Sequence, residues 1–183
     1  REDSKTTYKF LDLVMDVLPS DVKYVTTDFG KGKCFIKPIQ KGFPKALHQI
    51  CLVHFLRYLK IQLPKTRKSA YFWRNTIFRA TVKAIVTATS MDEAKTLLTR
   101  LLRLKACFPA SYHKRIIRLV EKNLSLLLAY RLDAKIPSTS NSIESWNRKL
   151  ERKLKNMDGF QSDESCKVFL ELWFKANANS NMK

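Results

Sequence analysis

The chain has 183 residues, and its 35 Lys and Arg against 16 Asp and Glu give a formal net charge of +19. A hydrophobic content of 45% with 11% aromatic residues excludes a disordered basic tail, and only 4 Gly and 6 Pro exclude low-complexity classes. No uncharged stretch approaches the roughly 20 residues of a membrane span, and a pI near 10 favours nucleic acid over membrane as the partner.

The first third of the chain is predicted to alternate between helices and strands. Apolar residues at three- and four-residue steps indicate helices, β-branched and aromatic runs indicate strands, and Gly and Pro mark turns. The first strand delivers Asp28 at its C-terminal end. In chain order we expect a helix over 4–18, a strand over 22–27, a turn over 29–32, a short helix closed by 42–44, a strand over 47–51 and a helix over 53–63.

Beyond position 70 every predicted element is a helix. Ser90-Met-Asp-Glu93 has the pattern of a capping box, and leucines follow it at helical spacing. Further helices are predicted over 71–87, 111–130, 142–155 and 163–176. The predicted fold class is therefore α+β and predominantly α-helical.

Positive charge is concentrated in the middle of the chain. Residues 55–135 carry 18 basic and 4 acidic side chains, a net charge of +14, whereas residues 1–54 and 136–183 are only mildly basic. Like charges at this density repel each other without a counter-charge, which favours a surface that faces phosphates over an ordinary solvated face. Arg100, Arg103 and Lys105 lie off the leucine stripe and are candidate DNA-binding residues.

Asp28 is the first candidate for chemistry. A carboxylate that ends a strand and precedes the glycines of Phe29-Gly-Lys-Gly32 is typical of a metal ligand or a catalytic acid. The same position suits an Asp that caps the next turn, and spacing alone does not decide between the two.

Cys51-Leu-Val-His54 is the second candidate. Zinc sites need about four ligands, usually from two such pairs, and the other Cys and His residues form no second pair at ligand spacing. We therefore expect Cys51 and His54 to be largely buried beside the second strand, with no zinc. The four scattered cysteines also indicate reduced thiols and an intracellular protein.

Pro137-Ser-Thr-Ser-Asn141-Ser-Ile-Glu144-Ser-Trp-Asn-Arg148 is the third. It predicts a capped loop leading into a helix that carries Glu144 and basic side chains. Glu144 can point into a cleft, or it can form a surface ion pair with Arg148 four residues later. The basic candidates for DNA binding on this helix are Arg148, Lys149, Arg152 and Lys153.

Taken in order, these segments resemble the catalytic domain of DDE transposases, most closely Mutator-like elements and related prokaryotic insertion-sequence transposases. The resemblance spans roughly 24–172 and rests on the strand ending in Asp28, the "GFP" and "HQICLVH" segments, and "PSTSNSIESWNRKLERK" followed by "GF". It implies a partial RNase H-like fold. The core would comprise 1–54 and 136–183, with an all-helical insertion over 55–135.

The resemblance also implies roles for particular residues. Asp28 matches the second catalytic acid and Glu144 the third, and both would hold Mg²⁺ or Mn²⁺, two ions in the full-length parent. Thr139, Asn141 and Arg148 match polar residues around the third acid. Cys51 and His54 match the Cys-x-x-His pair of the family, to which no role is assigned. The partners would be transposon-end and target DNA, with no membrane and a possible homo-oligomer in the full-length protein.

The first catalytic Asp should lie on a strand upstream of the helix at 4–18, so the chain resembles the C-terminal portion of a transposase. We therefore expect it to bind duplex DNA without cutting or joining it. Two competing interpretations are a non-catalytic DNA-binding module derived from a transposase and a helical RNA- or zinc-binding protein. The expected location is the cytoplasm or nucleoid of a prokaryote, or the nucleus of a eukaryote.

Overall fold

The computed structural model describes residues 8–9, 11, 21–29, 35–63, 72–108, 110–157 and 159–178. The chain divides into two compact units, Arg1–Ser140 and Asn141–Lys183. Almost all of the helix predicted over 4–18, and most of the turn predicted over 29–32, lie outside the described residues. The fold is α+β and predominantly helical, as predicted. In the part of the chain that the structure describes it comprises seven α-helices and one two-stranded sheet.

Two parallel strands form the sheet of the first unit. Strand β1 (Tyr24–Thr27) pairs with β2 (Leu47–Ile50) so that Tyr24 lies opposite Leu47 and Thr27 opposite Ile50. Parallel strands need a crossover connection, and helix α1 (Ile36–Gly42) lies within it. Both strands are confirmed. The first starts later than the predicted position 22 because only the last four residues of that stretch have a pairing partner.

Helices make up the rest of the first unit. They are α2 (Leu52–Gln62), α3 (Phe72–Val86), α4 (Met91–Arg103) and α5 (Ser111–Leu127), with 3₁₀ turns at Lys105–Cys107 and Ala129–Arg131. No strand occurs among the described residues of 55–135. The Ser90 hydroxyl accepts the amide of Glu93, and the Glu93 carboxylate accepts the amide of Thr89, so the predicted helix start is confirmed.

One hydrophobic core joins the sheet to these helices. Ile50 of β2, Phe55 of α2, Phe78 of α3 and Val120 of α5 are almost fully buried within it. Gln49 of β2 also lies in this core. Its amide nitrogen donates to the carbonyl of Leu127 at 3.1 Å, and its amide oxygen accepts the backbone amide of Tyr130 at 2.8 Å. A buried polar side chain with both ends bonded fixes the end of α5 against the sheet.

The fifth helix is shorter than predicted. It ends at Leu127 instead of 130, and Asn123 has a non-helical backbone with φ −118° and ψ 19°. The buried Asn123 side chain donates to the carbonyl of Leu119 at 2.8 Å, and such bonding to the preceding turn bends helices. The kink precedes the 3₁₀ turn that leads to Asp133, whose carboxylate accepts a hydrogen bond from the Tyr24 hydroxyl of β1.

The second unit contains α6 (Asn141–Lys155) and α7 (Asp163–Ala178), close to the predicted 142–155 and 163–176. Gly159, in the connection between them, has φ +96°, which residues with a side chain rarely adopt. Ser162 and Ser165 exchange amide-to-hydroxyl hydrogen bonds at the start of α7. None of the described helices is long and apolar enough to cross a membrane.

Candidate functional site

The carboxyl ends of the two strands bring Asp28 and Cys51 together. Asp28 follows the last residue of β1 and Cys51 the last residue of β2, and these residues, Thr27 and Ile50, are paired. The Cys51 amide donates to the Thr27 carbonyl at 2.8 Å, which continues the ladder by one step. Parallel pairing therefore places the two side chains at the same edge of the sheet.

His54 completes a compact cluster with these residues. Cys51 is the N-cap of α2, so His54 lies in the first turn of that helix, three residues away and on the same side. Its Nδ1 is 3.2 Å from the Cys51 Sγ and 3.1 Å from the Asp28 Oδ1. The Cys51 side chain is fully buried, whereas His54 is 24% exposed and Asp28 49% exposed. The cluster thus opens to solvent on the carboxylate side.

The loop over 137–140 closes the buried side of the cluster. The Ser138 carbonyl accepts the Leu52 amide at 3.0 Å, which satisfies one free donor at the start of α2. The Ser140 hydroxyl lies 3.0 Å from the Asp28 Oδ1, to which it donates, and 3.3 Å from the Cys51 Sγ. The Ser140 amide donates to the same sulfur at 3.3 Å. Ser140 therefore contacts both the carboxylate and the sulfur.

These contacts favour a thiolate at Cys51. Burial by itself raises the pKa of the Cys51 thiol, but hydrogen bonds from Ser140 and His54 outweigh burial and hold that pKa below its ordinary value. The predicted burial of Cys51 beside the second strand is confirmed, and His54 is partly buried.

Glu144, the other predicted acid, lies in the first turn of α6 in the second unit, which we describe by itself. The Arg148 Nη2 is 3.7 Å from the Glu144 Oε2, and the Arg148 side chain is 67% exposed. This is the surface pair that the sequence left open, and exposed pairs of this kind contribute at most about 1 kcal/mol. The expected meeting of Asp28 and Glu144 on one metal centre stays a prediction.

The predicted DNA-binding residues are exposed. Arg148, Lys149, Arg152 and Lys153 lie on the surface of α6, and Arg100, Arg103 and Lys105 lie on the surface of α4 and the turn after it. Over 55–135 every described Lys and Arg is exposed except Arg79, which is half-buried. In the second unit Lys149, Arg152 and Lys153 line a groove together with Phe169 and Trp173 of α7. Basic and aromatic side chains therefore share one surface there.

Ser140 is the site residue that sequence reasoning missed. The capping residues predict the loop, and the family resemblance points to Thr139 and Asn141 on either side of Ser140. Thr139 is half-buried, and Asn141 is exposed at the first position of α6. The sequence shows Ser140 only as one of several hydroxyl residues in a loop. The contacts that the loop makes in the fold distinguish Ser140 from its neighbours.

The chain matches the model of one protein family, described as "Transposase, Mutator family", over residues 1–182. The chain belongs to the Mutator family of transposases. Comparison with curated proteins and with solved structures finds no match. The match covers both units of the fold and includes strand β1, which Asp28 follows, and the helix that carries Glu144.

Proposed function

We propose that this Mutator-family chain acts in DNA transposition. In the proposal its basic surfaces hold the DNA, and in the full-length parent Asp28 and Glu144 supply two of the carboxylates that hold Mg²⁺ or Mn²⁺ for strand cleavage and transfer. The family match over residues 1–182 carries the proposal. The RNase H-like character of the core and its DDE chemistry belong to the proposal as well.

The position of Asp28 supports its role. The chemistry at a phosphodiester is an in-line displacement, in which bound divalent ions would activate the attacking hydroxyl and stabilise the leaving oxygen. Asp28 offers a hard oxygen ligand, half-exposed at the end of a paired strand and held in place by Ser140. Mg²⁺ binds through one or two carboxylates while keeping several waters, so an exposed carboxylate of this kind fits the ion.

The charge distribution supports the DNA partner. The described basic side chains of 55–135 reach solvent almost without exception, so their charge is available to phosphates. Contacts of this kind position a duplex without reading its sequence. We expect binding with little sequence preference and an affinity that falls steeply with salt, because each neutralised phosphate releases counterions.

Binding of labelled duplex DNA across a salt series tests whether the basic side chains of 55–135 bind DNA. Reversal of three charges in Arg100→Glu, Arg103→Glu and Lys105→Glu should weaken binding and reduce the slope of log affinity against log salt by up to about 3. The matched control reverses Lys23, Lys37 and Lys45, which are exposed in the mildly basic first 54 residues. Equal losses in both variants would show an effect of net charge alone and would contradict a DNA-binding surface on α4.

A non-catalytic DNA-binding module is the second candidate, because Glu144 is paired with Arg148 and the basic groove of the second unit needs no acid. Incubation of labelled transposon-end DNA and Mg²⁺ or Mn²⁺ with the full-length parent, which supplies the first acid, separates the candidates. Cleavage or joining that both Asp28→Ala and Glu144→Ala abolish supports the catalytic role. Salt-dependent binding that leaves the DNA intact, and that neither substitution alters, supports the module.

A further inference from the structure

The side chains that meet Asp28 have a different chemistry from a magnesium site. We propose that Asp28, Cys51 and His54 form a binding site for a divalent ion of the Zn²⁺ type, with one carboxylate oxygen, the thiolate sulfur and the imidazole Nδ1 as ligands. These three ligand atoms lie within 4.8 Å of one another. Three protein ligands with a water as the fourth are the usual set of an open zinc site.

The contacts around Nδ1 distinguish a metal site from a nucleophile with its base. A Cys-His-Asp triad needs its cysteine and its carboxylate on opposite ring nitrogens. Here the sulfur and the carboxylate oxygen both approach the same nitrogen of His54, and the sulfur is fully buried. One cation between the three atoms can accept a lone pair from each of them.

The distances suit this ion. A tetrahedral Zn²⁺ with ordinary bond lengths holds its sulfur, nitrogen and oxygen ligands about 3.3–3.6 Å apart. The contacts from Nδ1 are 3.2 Å to the sulfur and 3.1 Å to the oxygen, so side-chain shifts of a few tenths of an ångström bring both into range. The sulfur and the oxygen lie within 4.8 Å of each other, so binding would draw them together by up to about 1.3 Å. Thiolate and imidazole ligands select Zn²⁺ over Mg²⁺, which prefers oxygen alone.

Ser140 provides the outer contacts that such a site requires. Its amide and hydroxyl both lie 3.3 Å from the sulfur, and its hydroxyl is 3.0 Å from the carboxylate oxygen. Outer hydrogen bonds of this kind orient metal ligands. The sequence expectation of no zinc rested on a pair that supplies two ligands, and the fold adds Asp28 as a third.

This inference shares Asp28 with the proposed function. An ion of the Zn²⁺ type here would take the Asp28 Oδ1 that faces His54 and leave Oδ2 for the Mg²⁺ centre, and excess Mg²⁺ should displace it poorly because sulfur and imidazole hold it.

The test is metal titration of the full chain after removal of metals with a chelator. We expect one Zn²⁺ per chain in competition with a chromophoric chelator, and for Co²⁺ a thiolate-to-cobalt charge-transfer band. Asp28→Asn, Cys51→Ser and His54→Ala should each weaken Zn²⁺ binding at least tenfold. Ser140→Ala should weaken it by about 10–100-fold and keep the charge-transfer band. Cys107→Ser, at an exposed cysteine on the 3₁₀ turn after α4, is the matched control and should bind as the parent does.

Asp28→Asn keeps the test decisive if Cys51→Ser fails to fold, because the Asp28 side chain is half-exposed and its amide replacement has nearly the same shape. Absence of stoichiometric Zn²⁺, parental affinity in folded Asp28→Asn, or a Co²⁺ spectrum without a thiolate band would overturn the site. DNA binding of the same samples without divalent ions separates the two proposals. Retained DNA binding without a metal site overturns this inference alone, and metal binding without DNA binding contradicts the proposed function alone.

Discussion

Ser140 donates its hydroxyl hydrogen bond to the carboxylate of Asp28, a residue 112 positions earlier in the chain. One partner of this bond precedes the helical segment over 55–135 in the chain, and the other follows it. The bond links the strand end that carries Asp28 to the loop that leads into α6. The position of Asp28 therefore depends on a loop that follows the helical segment in the chain.

Ser140→Ala should lower the free energy of unfolding by about 1–2 kcal/mol, because hydrogen bonds to charged groups contribute about 1.5–3 kcal/mol and the amide of residue 140 still bonds the sulfur. Urea unfolding followed by circular dichroism measures the change. Ser125→Ala, at an exposed position of α5, is the control and should stay within about 0.5 kcal/mol. Equal stability of the two variants would contradict a structural role for Ser140.

Gln49→Leu should lower the free energy of unfolding by more than Ser140→Ala does, by about 2–4 kcal/mol. The substitution leaves the Tyr130 amide and the Leu127 carbonyl without their bonds to the side chain, and each buried group left unsatisfied costs about 1–3 kcal/mol. Gln40→Leu, at an exposed position of α1, provides the comparison. Chemical denaturation of both variants decides the matter, and a loss below about 1 kcal/mol for Gln49→Leu would show that water replaces the amide.

Stability should fall as the pH is lowered from 6.5 to 4. Burial lowers the pKa of His48 from 6.5 to about 4, so the folded protein keeps this imidazole neutral while the unfolded chain protonates it. Unfolding therefore takes up a proton in that window. The contribution of the neutral His48 to the free energy of unfolding is fully present above pH 6.5 and is lost as the pH falls to 4. This proton uptake lowers the free energy of unfolding by about 3 kcal/mol between pH 6.5 and pH 4.

Denaturation midpoints at several pH values test this prediction. His48→Gln should flatten the curve in the same window, although the variant also loses the contact of His48 Nε2 with the Thr27 hydroxyl at 2.7 Å. His113 contributes with the same sign, because burial, followed by the nearby Arg74, lowers its pKa. An unchanged pH dependence in His48→Gln would remove His48 as the cause.

Mn²⁺ binding followed by electron paramagnetic resonance tests whether Asp28 and Glu144 share a metal centre. If they do, Asp28→Asn and Glu144→Gln should each weaken Mn²⁺ binding, and the double variant should lose less than the sum, because interacting residues are not additive. Glu151→Gln, further along the exposed surface of α6, is the control. Additive effects, or no effect of Glu144→Gln, would contradict a shared centre.

Local patterns predicted the elements of this protein well. The β-branched and aromatic run over 22–27 predicted the first strand, and a second was predicted over 47–51. The capping box at Ser90 predicted the start of α4, and helical periodicity predicted α2, α3, α6 and α7 to within a residue or two. The end of α5 was wrong because periodicity continues through Asn123, whereas the bond from its side chain to Leu119 bends the helix. Side-chain competition for a backbone carbonyl does not appear in a hydrophobic pattern.

The sequence by itself determined the fold class, the concentration of charge over 55–135 and the candidate residues Asp28, Cys51 and His54, because these depend on residue types at short spacing. Only the tertiary structure decided that the three share one cluster and that Ser140 closes it. Parallel pairing of β1 with β2 brings Asp28 beside Cys51 across 23 positions of the chain, and the loop over 137–140 returns from the end of the helices. Contacts between distant segments follow from strand register and core packing, which one sequence read along its length does not contain.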